Sequence, residues 1–308
     1  MKVQLWCACA LFALGVACWG CAGGMDRAAT SSAAVFSSQN GPGYIKRVGL
    51  GVISSPPTEL GYESARYIAQ SIADVLKAEA PRLNLGTAWE TGSIKKAIDL
   101  LKSNDIDLAA AGWRKDGFQG IATVALLDLR LVAEKTGALW FRKQRHFIRY
   151  SMVFDLYDTL TGAKLVSEIS EISLKISKND YEALQTGTVL HIEDLDDSLA
   201  DLADDFGEQA AESLNDLPWQ TSIISVEEKR IVFAAGRASG IQVGDRLAVY
   251  RGNRHVTGPK GKFMLPGMKV VEVDVEQVDE QRSYAVAPQD DAAQAGDIAI
   301  PIGRNPSP

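Results

Sequence analysis

Apolar residues recur along this chain at helical spacing in some stretches and at strand spacing in others. Val48-Gly49-Leu50-Gly51-Val52-Ile53 reads as a short buried strand. From Glu59 to about Ala80, apolar residues at Leu60, Ala65, Ile68, Ile72, Val75 and Leu76 predict an amphipathic helix, which Pro81 ends. Leu83-Asn84-Leu85 is a brief second strand. Ser93 is placed to cap a helix whose face is Ile94, Ala97, Ile98 and Leu101. Ile106 to Gly112 reads as a third strand entering a glycine-bearing loop. Three longer β runs follow: Thr123 to Val132, Ile148 to Tyr157 and Lys164 to Ile176. The turns between them carry Thr136-Gly137 and Thr161-Gly162, where glycine supplies the positive φ of a tight connection. Ile192 to Asn215 returns to the helical period, with a stripe of Ile192, Leu195, Leu199, Leu202, Phe206, Ala210 and Leu214.

After Leu217-Pro218-Trp219 only strands and turns are expected. Ser222 to Val226, Arg230 to Ala234, Arg246 to Tyr250, Lys269 to Val278, Ser283 to Ala287 and Ile298 to Ile300 are short β runs. Gly244-Asp245 and Gly296-Asp297 precede two of them. Many short strands with regular turns suggest a small barrel or folded sheet. The fold class expected is α+β: an αβ domain over residues 44–216, then a small barrel-like β domain over 217–303, with a loose tail at 304–308.

The N-terminus changes the picture. Met1-Lys2 is followed by an apolar run to about Trp19, then Gly20-Cys21 and small residues, the pattern of a secretory signal. The run is too short, and too rich in Ala and Gly, for a membrane-spanning helix. Cys7, Cys9, Cys18 and Cys21 are the only cysteines, so the body of the protein relies on its core and not on disulfides. Cys21 is the expected lipidation site, with residues 1–21 as signal peptide. Cys18 competes with it, and an ordinary signal cleaved near Ala22-Gly23-Gly24 is the alternative without lipid. Residues 22–43, rich in Ser, Ala and Gly, read as a flexible tether.

Composition narrows the chemistry. Apolar content of 46% and charged content of 23% are those of a globular protein, and a net charge of -7 argues against nucleic-acid binding. His146, His191 and His255 are the only histidines and have no metal-ligand spacing. No cofactor motif is present: Gly49-Leu50-Gly51 lacks the third glycine of a nucleotide fingerprint. Asp128 and Asp155 lie within apolar strands. As a pair they would suit acid–base work, but strand alternation turns each toward solvent. Trp140 to Tyr150 mixes cations with aromatics. It reads as a hairpin with one aromatic face in the core, or as a contact for anionic head groups or glycan. The acids of the last helix form a solvated face or a surface for a charged partner. Arg251 to His255 and Gly258 to Lys262 are a basic, turn-rich contact loop or a solvated hairpin end.

Ala235 to Tyr250, together with Gly267 to Val273 and Ser283 to Ala287, resembles the C-terminal domain of the flagellar assembly protein T family. The preceding αβ region is similar to that family's middle domain, and through it to the N-terminal domain of the translocation protein TolB and the curli-secretion lipoprotein CsgG. The opening strand and helix, Ile106 to Gly112, and the Asp155…Thr161-Gly162 hairpin carry that second likeness. The resemblance implies a TolB N-terminal-like αβ sandwich followed by the barrel. It also implies a non-enzymatic lipoprotein on the periplasmic side of the outer membrane, scaffolding an envelope assembly such as the flagellar basal body, with envelope proteins as partners. An accessory role in secretion or peptidoglycan synthesis is the runner-up. The family offers no catalytic residue, metal or cofactor.

Overall fold

The computed structural model describes residues 43–54, 58–87, 106–137, 140, 142–187, 192–252, 254–258, 261–265, 267–288 and 293–304. The expected signal peptide, the expected tether up to residue 42 and the helix expected after Ser93 lie outside them. The fold is α+β, with a closed six-stranded barrel in its C-terminal part.

A five-stranded sheet comes first. Its strands are β1 (Lys46–Ser54), β2 (Leu83–Thr87), β3 (Gly120–Thr136), β4 (Lys143–Asp158) and β5 (Lys164–Ile176), in the order β2-β1-β3-β4-β5. β1 is parallel to both neighbours, and the rest of the sheet is antiparallel. Helix α1 (Glu59–Glu79) makes the crossover from β1 to β2. Thr58 starts it, its hydroxyl accepting from the Gly61 N–H at 3.1 Å. Ile68, Ile72 and Leu76 are fully buried on its inner face.

Along β3 the side chains alternate: Ala122, Val124 and Leu126 join the main core. The register against β4 then shifts between Leu126 and Asp128. Leu127 is the extra residue, 57% exposed, and Leu129 and Leu131 return to the helix side. The bulge keeps Leu129 and Leu131 on the helix side of an almost unbroken apolar run, while nearer the start of β3 the opposite face is covered as well, at Ile121, Thr123 and Ala125.

Ile106–Lys115 is a helix, α2, and not the strand expected from Ile106 to Gly112. Ala109-Ala110-Ala111 is the strongest helix-forming triplet available, and a six-residue apolar run carries no decisive period. Ala110 and Trp113, three apart and each 1% exposed, mark the buried face, and Gly112 sits inside the helix. A second difference is α3 (Lys178–Gln185), a short helix with no fully buried residue, which lays only Tyr181 and Leu184 against the core. Helix α4 (Glu193–Asp216) follows the expected stripe. Phe206 stacks on Phe154 of β4 at 5.2 Å. α4 crosses α1 at Gly207, where a Cβ would lie 2.5 Å from Val75 Cγ1.

The remaining strands are β6 (Thr221–Glu227), β7 (Arg230–Phe233), β8 (Asp245–Tyr250), β9 (Arg254–Gly258), β10 (Gly261–Leu265), β11 (Lys269–Val278), β12 (Ser283–Val286) and β13 (Ile298–Arg304). Six of them close a barrel in the order β11-β12-β7-β6-β13-β8, around a core that includes Trp219, Phe233, Leu247, Val249 and Val275. β9 and β10 pair as a separate antiparallel hairpin. The two Gly-Asp turns are built alike. Gly244 and Gly296 have φ of 87° and 91°. Asp245 and Asp297 each accept from the backbone N–H three residues back, that of Gln242 and of Gln294, at 2.9 Å.

Candidate functional site

The acids singled out in the strands do not form a reactive pair. Asp128 lies opposite Ser151, four residues along β4 from Asp155, which is about 13 Å of strand. Acid pairs that cleave glycosides stand about 5–9.5 Å apart. Asp128 is partly exposed and ion-paired with Arg130. Asp155, expected to face solvent, is instead buried at 7% exposure. The Ser167 hydroxyl donates to it at 2.7 Å, the Tyr157 hydroxyl at 3.1 Å and the Lys164 ammonium at 2.8 Å. Three donors thus hold the carboxylate, and the Tyr157 phenol is pushed up by its own burial and by the Asp155 charge. This is a structural acid.

His146 is buried, its ring 4.6 Å from that of Tyr181 on α3. Among the described residues, no three His, Cys, Asp or Glu side chains gather as a metal would require. Cys21, the expected lipidation site, lies outside the described residues, as does His191.

What the structure does build is a junction between sheet and barrel, from residues far apart in sequence. Lys46 at the start of β1 donates to the carbonyl oxygens of Leu214 and Leu217, both at 2.5 Å, so it closes the C-terminal end of α4. Burial pushes the Lys46 ammonium down to about 8, against the nearby Asp216 charge, which raises it. Trp219 donates from Nε1 to the Ile45 carbonyl at 3.1 Å and stacks on Tyr44 at 4.9 Å. Arg114 of α2 donates to the carbonyls of Thr159 and Leu160 at 3.0 and 2.8 Å. Asp158 holds that same turn through the Leu160 and Thr161 N–H groups, and Leu160 packs on Ile298 and Ile300 of the barrel. Burial pushes the Asp158 carboxyl up, while its hydrogen bonds with Thr161 and Leu160 draw it back. Gly117 touches the barrel directly, since a Cβ there would lie 2.1 Å from the Ala234 carbonyl oxygen.

Beside this junction an open cleft of about 280 Å³ is lined by Tyr44, Lys46, Glu79, Pro81, Arg82, Leu83 and Asn215. It is at the lower limit of small-molecule sites, roughly 300 Å³. Its most buried cation, Lys46, already serves two carbonyls.

The charged surfaces separate. The solvent side of α4 exposes Asp194, Asp197, Asp201, Asp204, Glu208 and Glu212. The cation-aromatic stretch divides along β4: Ile148 and Tyr150 enter the core, while Arg142, Lys143, Arg145 and Arg149 are exposed. In the basic loop, Arg251 is held by Asp297, which accepts from its Nη1 at 3.0 Å and from the Gly252 N–H at 3.0 Å. The arrangement as a whole exposes its charged faces and holds the buried acids Asp155, Asp158 and Asp297 in hydrogen-bonded networks.

The barrel has a family counterpart: residues 228–301 match the flagellar assembly protein T, C-terminal domain. The chain is thus flagellar assembly protein T-like in that segment. No curated protein matches the chain. Among solved structures, the PelC dodecamer from Paraburkholderia phytofirmans is 14% identical, covers 54% of this chain and 86% of its own, and has a TM-score of 0.30. A minor lipoprotein from Acinetobacter baumannii is 14% identical, with 56% and 96% covered and a TM-score of 0.29. Lipoprotein GNA1162 from Neisseria meningitidis is 9% identical, with 46% and 93% covered and a TM-score of 0.30. Likenesses of this size carry neither function nor assembly across.

Proposed function

We propose that this protein is a non-enzymatic lipoprotein on the periplasmic side of the outer membrane, anchored through an acylated Cys21, that scaffolds an envelope assembly, the flagellar basal body. The observation that carries this reading is the flagellar assembly protein T match over residues 228–301. In this reading residues 1–21 are the signal peptide, 22–43 the tether, 44–216 the αβ domain, 217–303 the barrel domain and 304–308 a tail. The body contributes protein-binding faces held in a fixed relation by the junction. Anchoring raises local concentration and so strengthens contacts that are individually weak.

Deleting the gene tests the assembly role. Motility should fall and isolated basal bodies should lose ring density. Intact motility and rings, with capture of a secretion channel or a wall synthase from solubilised envelope, would move the protein to the runner-up role. Cys21→Ala tests the anchor. The variant should fail to incorporate labelled palmitate and should leave the membrane fraction, and processing and fractionation unchanged from the parent would dispose of acylation there.

A further inference from the structure

The turn between β3 and β4 carries Trp140, 91% exposed. A single exposed aromatic is ordinary on a protein surface. What sets this one apart is its surroundings. From Lys135 to Arg149 the sequence holds five Lys or Arg and no Asp or Glu, in a chain whose net charge is -7. Lys135, Arg142, Lys143 and Arg145 are all exposed. Glu134 is partnered by Arg149, and on α3 Glu182 is partnered by Lys178.

The tip also projects. β5 stops pairing with β4 at His146, whereas β3 continues to Thr136 opposite Lys143, so the last turn is a two-stranded hairpin. β3 starts at the junction, where Gln119 donates to the Gln220 carbonyl, and its 17 residues span about 55 Å. α4 starts from the same end, where Lys46 holds its C-terminus, and its 24 residues span about 36 Å. The hairpin therefore outreaches the acidic helix by about 20 Å, more than two screening lengths at physiological salt.

We infer that the β3–β4 tip is a second membrane contact, docking on an anionic phospholipid surface with Trp140 at the interface and Lys135, Arg142, Lys143 and Arg145 over the head groups. A convex, basic, tryptophan-bearing tip suits a soft planar acceptor. Tryptophan prefers the head-group level, and cations are drawn to anionic lipid over short range. Glycan recognition would call for a groove that covers the ring, whereas Trp140 stands 91% exposed on a turn. The contact lies at the far end of the sheet from Tyr44, where the proposed tether enters, so it is distinct from the Cys21 anchor and independent of it.

The test uses residues 22–308, made without leader or acyl group, so that failure of acylation does not enter. Vesicles of phosphatidylcholine alone are compared with vesicles containing about one third phosphatidylglycerol. The protein should float with the anionic vesicles and not with the neutral ones, and salt at about 0.5 M should release it. Trp140→Ala should weaken binding about fivefold, and Lys143→Glu with Arg145→Glu about tenfold or more. Trp140→Phe should remove the blue shift in tryptophan emission that accompanies binding. All three variants change exposed positions, so an unchanged melting temperature certifies the fold. Absence of flotation, or flotation equal to the parent in both variants, would overturn the inference. So would retention of the parent through the same residues on peptidoglycan sacculi, or on an acidic envelope protein, without vesicle binding.

Discussion

The Lys46 ammonium donates to the Leu214 carbonyl across a sequence separation of 168 residues, tying the first strand to the last turn of α4. A second bond, to Leu217, extends the tie into the segment that enters the barrel. One side chain thereby satisfies two carbonyls that the helix itself leaves open.

That position titrates in a useful window. Lys46 has a pKa of about 8 when folded and 10.5 when unfolded, because burial disfavours its charged form. Below pH 8 both states hold the proton and the folded state carries the full cost. Between 8 and 10.5 the unfolded chain binds more protons, so stability rises with pH. Melting temperature should therefore climb from pH 7.5 to 9.5 in the parent. Lys46→Met should flatten that slope, and at pH 7 it should also expose the cost of two carbonyls without a donor, about 1–3 kcal/mol. A parent whose melting temperature falls across this range would refute the assignment.

Gly117 has φ of 78°, and its missing Cβ leaves room for the Ala234 carbonyl. Gly117→Ala should cost about 2–4 kcal/mol by denaturant titration, from left-handed strain plus a backbone clash. Gly187 has φ of 81° but nothing near its absent Cβ. Gly187→Ala should cost only about 1 kcal/mol, and the difference between the two isolates the barrel contact.

The helix crossing makes an equally direct case. Ala has the better helix propensity by about 1 kcal/mol, yet Gly207→Ala should destabilise, because Val75 cannot be passed at 2.5 Å. Adding Val75→Gly, which removes the Val75 Cβ at 2.6 Å as well as Cγ1, should leave Gly207→Ala no longer destabilising. A double-variant cycle with no coupling would show that the helices do not meet there.

In the barrel, Asp297 is 2% exposed and accepts from Gln294 N–H, Gly252 N–H and Arg251. Asp297→Ala leaves all three donors without this acceptor and should cost about 2–4 kcal/mol by calorimetry or denaturant titration. Asp297→Asn keeps an acceptor oxygen and should cost less.

Local chemistry made much of this fold readable. The Gly-Asp turns, the Thr-Gly turns with φ of 119° at Gly137 and 72° at Gly162, and the stripe of α4 are short-range signals that the packing preserves. Ile106–Lys115 escaped because a short apolar run fits either period until Ala110 and Trp113 find a shared buried face. Asp155 escaped for a different reason. Alternation does turn it away from the helices, but Tyr157, Ser167 and Lys164 close over that side. The junction was beyond sequence reasoning, since Lys46, Arg114 and Trp219 act on backbone carbonyls, which every residue has. The exposed tip was legible as cations among aromatics; the burial of Ile148 and Tyr150 then separated its core side from its free side.

The placement of β1 has a mechanical meaning. It lies between β2 and β3, parallel to both, and the residue just before it, Ile45, is bonded to the barrel through its N–H and Ser239. Tension applied at Gly43 would load both ladders in shear along the strand axis, where many bonds must yield together, instead of unzipping them one by one. The same pull would be shared with the barrel at Ile45 from the outset. A chain tugged from its N-terminal side would thus resist as a single block.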